Sequence, residues 1–467
     1  MIFSSISFIY YFLPIVLVFY FIAPKKIKNF VLLVASLLFY FYGEPIYIFL
    51  MVGTILVTYI FGLLLDKFKK TKYQKIILVI GVVIILSSLL LFKYSDFLIT
   101  NINSLFKSNI SLLNLALPLG ISFYTFQVLS YLIDVYKGKV ECQKNFINLA
   151  TYVCLFPQLI AGPIVRYKDV NDELLNRKSS IHDIAYGFKR FIIGLAKKVI
   201  ISNSLASFVQ IFIDSGGKSV LFYILYGISV TLQIYFDFSG YSDMAIGLGR
   251  IFGFHFLENF DYPLCATSIT DFWRKWHISL SSWFRDYVYI PLGGSRTTKG
   301  KWLRNILIVW FLTGLWHGAD WNFIIWGLYF GVLLIIEKVF LQKVLDKMPK
   351  FLKHIYTIII VVISFMIFNA PDLNTLLVTF KSLFGFNHLD FSNFTTIYYF
   401  KSYFIILIIA IIGATPIIKN FINKLRKNNK LNKVINVLEI GYMLVLLILV
   451  TAYLVDGSFN PFIYFRF

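Results

Sequence analysis

Charge is what this chain has least of. Charged residues make up 14% of its 467 positions, where soluble globular domains carry about 25%. Hydrophobic residues make up 58%, and the mean hydropathy is +0.76. That balance excludes a soluble enzyme, a disordered chain and a fibrous protein. Short alternating segments are missing too, so a membrane barrel is excluded. Cysteine is scarce: Cys142, Cys154 and Cys265 are the three. They form no CxxC pair, so neither a disulfide framework nor a thiolate metal site is supported. The six histidines, His182, His255, His277, His317, His354 and His388, show no HxH, HxxH or HExxH spacing. No bound metal is expected.

What is present is apolar and basic. Long apolar runs recur from 5–23 to 434–455, and each span of a helical membrane protein needs about 20 such residues. Several runs are too short to cross alone and read as tilted, re-entrant or interfacial. Roughly ten to twelve spans are expected. The formal charge is 44 − 23 = +21. In a soluble chain that excess would suggest nucleic acid. Here it reads as cytoplasmic loops facing anionic lipid, with no nucleic-acid partner.

The basic loops set a topology. Pro24–Asn29 holds three lysines, and Asp66–Lys75 holds five. The apolar pair joined by Gly43-Glu44-Pro45 lies between them, so both loops fall on the cytoplasmic side. Lys419–Lys433 carries six basic residues and no acid, which makes it cytoplasmic and sends the tail outside. The N-terminal stretch lacks a positive n-region and a small-residue cleavage site, so it reads as a retained span starting outside. Both termini are expected outside the cell. Residues 1–467 read as one integral-membrane domain of the cytoplasmic membrane. It comprises N-terminal helices (1–135), a core (136–345), and C-terminal helices with an extracellular tail (346–467).

One stretch differs from the rest. All eight tryptophans lie between Trp273 and Trp326. An interfacial aromatic belt would recur at every membrane boundary, so the concentration favours a specific site. Within it, Asp271–Asp286 places Trp273, Trp276 and Leu280 at the i, i+3, i+7 spacing of one helix face. Arg274, Lys275 and His277 lie beside that face. Cations next to aromatic faces suit an anionic, nucleotide-like donor. An amphipathic helix lying on lipid headgroups reads equally well from spacing alone.

His317 follows the apolar run 305–316, next to Trp316 and between Gly314 and Gly318. A helix rising about 1.5 Å per residue carries it roughly 18 Å inward. An ionisable group at that depth is a functional candidate, and imidazole is the usual general base near neutral pH. The glycines let a substrate or another backbone approach. A third segment, Tyr235–Arg250, puts Asp237 and Asp243 near the end of an apolar run. Gly240 is expected to break that helix. The carboxylates then orient a histidine, pair Arg250 or join a buried hydrogen-bonded network.

Four segments together resemble the membrane-bound O-acyltransferase family. They are Gln158–Arg166, Tyr235–Asp243, Asp271–Ser282 with Pro291-Leu292-Gly293-Gly294, and Leu315–Ala319. The match is to the bacterial branch of alginate O-acetylation and teichoic-acid D-alanylation proteins, and it covers most of the chain. The resemblance implies an all-α fold, a ring of tilted and re-entrant helices around a central tunnel. It implies an O-acyltransferase, probed from the cytoplasm by acetyl-CoA or an acylated carrier protein as donor substrate, with no permanently bound cofactor. It makes His317 the catalytic histidine and His277 the second one. Trp273, Trp276, Trp316, Arg274, Lys275, Asp237 and Asp243 are then donor- or substrate-binding candidates. The tail Pro461–Phe467 resembles a family ending whose tyrosine, Tyr464, is a candidate acyl carrier; an aromatic belt anchor is its alternative. A separate exported transferase or an envelope glycan is the implied acceptor. The rival class is a transporter or flippase for a lipid-linked or anionic glycan, and a third reading is an acyltransferase acting on a protein or lipid hydroxyl.

Overall fold

A computed structural model of the protein describes residues 1–457. Tyr464 lies outside the described residues. Among them every regular element is a helix. Nine helices are long and apolar enough to cross a membrane, and Ser7–Ile22 adds a shorter apolar one. The protein is therefore a multi-pass, all-α membrane protein. That count, among the described residues, takes only helices long enough to cross alone, and several apolar runs fold as shorter pieces. The run 145–160, for instance, becomes Phe146–Cys154 and Phe156–Leu159.

The described residues form two compact units, whose boundaries do not coincide with the divisions at 135 and 345. The first comprises Met1–Phe191 and Ser242–Leu257. Its central helix, Ile121–Tyr136, is buried on nearly every side. In the same unit Phe3, Phe8, Phe39 and Phe156 build an aromatic cluster of tilted and edge-on rings, with centroid separations of 4.9 to 6.5 Å. Gly120 opens that helix at φ +74°, where a Cβ would stand 2.4 Å from the Leu159 carbonyl oxygen. A glycine is required there by both space and backbone.

The second unit comprises Ile192–Tyr241 and the described residues from Glu258 onward. Its core is dominated by rings: Trp273, Trp276, Trp326, Phe330, Phe365 and Phe368 are all buried in one cluster. Phe394–Gly413 and Asn429–Val455 leave most of their apolar surface exposed. That is the behaviour of helices solvated by lipid.

Helix Val220–Ile251 contributes residues to both units. It runs through Gly240 without the expected break. The missing side chain serves packing instead: a Cβ there would lie 2.7 Å from the Gly194 carbonyl oxygen and 3.2 Å from the Lys198 amide.

Candidate active site

The segment carrying His277 is built from caps. Ser268 accepts a hydrogen bond from the Asp271 amide (3.0 Å), and Asp271 accepts from the Thr267 amide (3.2 Å). This reciprocal arrangement satisfies amides that a helix start leaves orphaned. Glu337, fully buried on a distant helix, adds a third clamp. Its carboxylate accepts from the Ile269 amide (2.9 Å), the Thr270 amide (2.8 Å) and the Thr270 hydroxyl (2.7 Å). Negative charge at a helix N-terminus is favourable.

Helix Ile269–Lys275 therefore has a fixed origin, and it stops early. Trp276 is extended, and His277 sits at φ +43°, ψ +55° before helix Ile278–Phe284 begins. The single amphipathic helix suggested by the aromatic spacing is in fact two short helices with a left-handed histidine between them. That backbone is uncommon for a residue with a Cβ, and it persists only where its surroundings hold it. Here they do. His277 is fully buried; its Nδ1 lies 3.1 Å from Asn259 Oδ1, and the Phe238 ring stands edge-on at 4.6 Å. Burial pushes the imidazole well below its ordinary pKa, and nearby His317 acts in the same direction.

His317 is placed differently. It is the last residue of helix Lys299–His317, whose 19 residues at about 1.5 Å each span about 28 Å. Helix Trp321–Ile336 folds straight back against it. A Cβ on Gly327 would lie 2.3 Å from the Trp310 carbonyl oxygen, and one on Gly314 would lie 2.4 Å from that of Phe323. Around Gly314 and Gly318, then, it is the partner helix that approaches. A Cβ on Gly318 would strike the Phe323 ring.

Rings then enclose the imidazole. Trp316 (5.0 Å), Trp326 (4.9 Å) and Phe368 (5.4 Å) all stand nearly perpendicular to it. Trp316 also faces His277 at 5.8 Å. One indole thus touches both histidines, and the pair forms one buried, aromatic-walled site. Asn322 braces the wall by donating to the Phe368 and Ala370 carbonyls at 3.1 and 3.0 Å.

The other sequence candidates divide. Trp273 packs on Trp310 (4.5 Å) and Phe330 (4.9 Å), and Trp276 on Phe260 and Phe365, both at 5.0 Å. Both shape the core behind the histidines. Arg274 is exposed, and Lys275 pairs with Asp271 at 3.0 Å. The two carboxylates of helix Val220–Ile251 are absorbed by cations. Asp237 pairs with buried Lys198, and Asp243 pairs with Arg190 at 2.8 Å. Arg250 pairs with Asp183 at 3.1 Å, not with either expected aspartate. His255 meets Glu173 at 2.6 Å and His354 the Ala266 carbonyl at 3.2 Å. Among the described residues no group of three His, Cys, Asp or Glu is placed to hold a metal ion.

Asn259 and Glu337 were not singled out from sequence. For Glu337 the signal that could have found it is a charged residue inside the apolar run 322–340.

A multi-pass helical protein with two histidines buried among tryptophans is the class of molecule that fold and site define. A model of the membrane-bound O-acyltransferase family matches residues 143–380, which contain both histidines. Similar proteins include the probable alginate O-acetylase AlgI of Pseudomonas aeruginosa, 40% identical over 83% of this chain and 75% of its own. The peptidoglycan O-acetyltransferase of Helicobacter pylori is 36% identical over 83% and 80%. The teichoic acid D-alanyltransferase of Bacillus subtilis is 34% identical over 47% and 59%. This chain belongs to the membrane-bound O-acyltransferase family. It is accordingly an acyltransferase.

Proposed function

We propose that this protein moves an acyl group, acetyl in the first instance, from a cytoplasmic thioester to hydroxyls of a cell-envelope polysaccharide. The donor is acetyl-CoA or an acylated carrier protein. The observation that carries the reading is the pair of buried histidines sharing one tryptophan. Relatives named for acetylating alginate and peptidoglycan support the acetyl group and the glycan acceptor.

In this reading His317 is the general base. It takes the proton of an attacking hydroxyl as the oxygen adds to the thioester carbonyl, then returns it to the departing thiolate. The ring-lined site keeps water out, which protects the thioester from hydrolysis. His277 stands alongside on the donor route. Exposed Arg274 and partly exposed Lys275 meet the donor's negative charges on the cytoplasmic face.

The basic loops put both termini outside, so Tyr464 would lie on the acceptor side. Its hydroxyl is proposed as the carrier that takes the acyl group from the thioester and passes it to a separate exported transferase or to the glycan. Tyr464→Phe keeps the ring and removes the hydroxyl. Loss of acetylation is expected; near-normal acetylation would leave Tyr464 as a membrane anchor.

The function itself is tested by measuring ester-linked acetate on envelope glycans with and without this gene, and transfer from labelled acetyl-CoA in membrane vesicles. Loss of both signals with the gene is expected. Unchanged glycan acetate without the gene would overturn the reading.

A further inference from the structure

The oxygen of the Asn259 side chain collects three donors. It lies 3.3 Å from the Ser279 backbone nitrogen, 2.9 Å from the Ser279 hydroxyl and 3.1 Å from His277 Nδ1. Asn259 is itself fully buried. Its backbone is tied to the same segment, since the Ile278 amide donates to the Asn259 carbonyl at 3.0 Å. Two residues further on, the Asp261 amide donates to the Lys275 carbonyl at 3.0 Å.

The contacts determine where the protons are. A backbone N–H has no lone pair, so it can only donate. The side-chain atom that receives the Ser279 amide must therefore be the amide oxygen of Asn259, which settles the flip of that group. An amide oxygen has no hydrogen to give. The histidine nitrogen facing it must then carry one. Burial keeps the ring neutral, and a neutral imidazole holds its single proton on one nitrogen. With that proton on Nδ1, the lone pair is on Nε2. This nitrogen is buried and has no hydrogen-bond partner among the described residues.

We propose that Asn259 is a positioning residue that locks His277 as the Nδ1–H tautomer, presenting Nε2 to the acyl-transfer site as a hydrogen-bond acceptor for a substrate O–H or N–H. The proposal rests on the reading of the histidine pair as the acyl-transfer site. The chemistry it selects is specific. A neutral acceptor nitrogen suits an amide N–H of the donor or the hydroxyl of the acceptor, and does not suit a carboxylate or phosphate oxygen. The left-handed backbone at His277 belongs to the same device: it turns the ring toward Asn259, and the Ser279 contacts hold the oxygen in place. The groups facing the ring are Asn259, Ser279, Phe238, Trp316 and, of titratable ones, His317.

The test has one readout that does not depend on activity. Protein labelled with ¹⁵N-histidine, purified in detergent, shows the His277 signals by difference from His277→Asn. Wild type is expected to give the Nδ1–H pattern, and Asn259→Leu a mixed or Nε2–H pattern. A wild-type Nε2–H pattern, or an unchanged tautomer in folded Asn259→Leu, would overturn the proposal. Ser279→Ala removes one competing donor without touching the Asn259–His277 contact, so it should keep the wild-type tautomer even if Asn259→Leu does not fold. Asn259→Asp keeps the acceptor and adds charge. The acid limb of its pH–rate profile should move upward by about one to three pH units, with activity retained better than in Asn259→Leu. An unmoved limb counts against the proposal. Failure of the wild type to transfer acetyl at all would instead sink the functional reading, and the tautomer measurement would stand apart from it.

Discussion

The two histidines reach the same tryptophan by opposite means. His277 sits in a break between two seven-residue helices, held by Asn259, Ser268 and Glu337, whose side-chain oxygens accept hydrogen bonds from it or from the helix before it. His317 ends a 19-residue helix and is held by rings and by glycines that let two helices touch. A polar scaffold fixes direction, as a tautomer needs. An aromatic box fixes position and shuts out water, which suits the general base proposed for His317. The difference teaches that one buried site divides its two requirements between two kinds of support.

The largest effect expected is at His317 itself. His317→Ala should lower acyl transfer by about 10²–10⁴-fold while the protein still inserts and purifies. Transfer within a few-fold of wild type would remove it from the chemistry. The next largest strikes its scaffold. Gly314→Val places side-chain atoms where the Phe323 carbonyl now stands; overpacking of this kind costs about 1–3 kcal/mol or more. A thermal midpoint in detergent equal to wild type would show that the helix pair can part freely.

Breaking the polar scaffold should cost somewhat less. Glu337→Ala strands two amides and a hydroxyl, at roughly 1–3 kcal/mol per buried unsatisfied group. Glu337→Gln, which keeps one acceptor oxygen, should fall between Ala and wild type in thermal midpoint. Glu337→Ala and Glu337→Gln behaving alike would deny the clamp.

A pH effect separates the two supports. Burial depresses the His277 pKa in the folded protein, so below about pH 6.5 the unfolded chain binds a proton that the folded chain refuses. Stability then falls as the solution is acidified through that window. His277→Asn keeps a residue tolerant of left-handed backbone and removes the titration, so its thermal midpoint should drop less between pH 7.5 and 5.5 than that of wild type. Equal drops would place the acid sensitivity elsewhere. The smallest effect belongs to the surface. Charge reversal at Arg274 and Lys275 should raise KM for the donor several-fold with kcat little changed, and unchanged KM would return both residues to lipid.

Sequence carried the membrane class, because apolar runs and basic loops are local signals. It also singled out both histidines, through depth for His317 and the aromatic-cationic motif for His277, and the structure brings them against one tryptophan. It missed what lies far along the chain. Asn259 is 18 residues from His277, and Glu337 is 67 residues from Thr270; no local pattern joins such pairs. The break at His277 was also hidden, because a left-handed histidine has no marker comparable to glycine. Gly240 misled in the opposite sense, as glycine serves close helix packing as readily as it ends a helix. The cations that Asp237 and Asp243 pair with, Lys198 and Arg190, come from another stretch of chain and were likewise not legible.

The central claim is that His277 and His317 act as one site. A double-mutant cycle tests it most directly, with acyl transfer measured for His277→Ala, His317→Ala and the double variant in reconstituted vesicles. Groups that act as a unit are strongly non-additive. The double variant is expected to be no slower than His317→Ala alone; losses that multiply to the full product of the two single effects would contradict the claim.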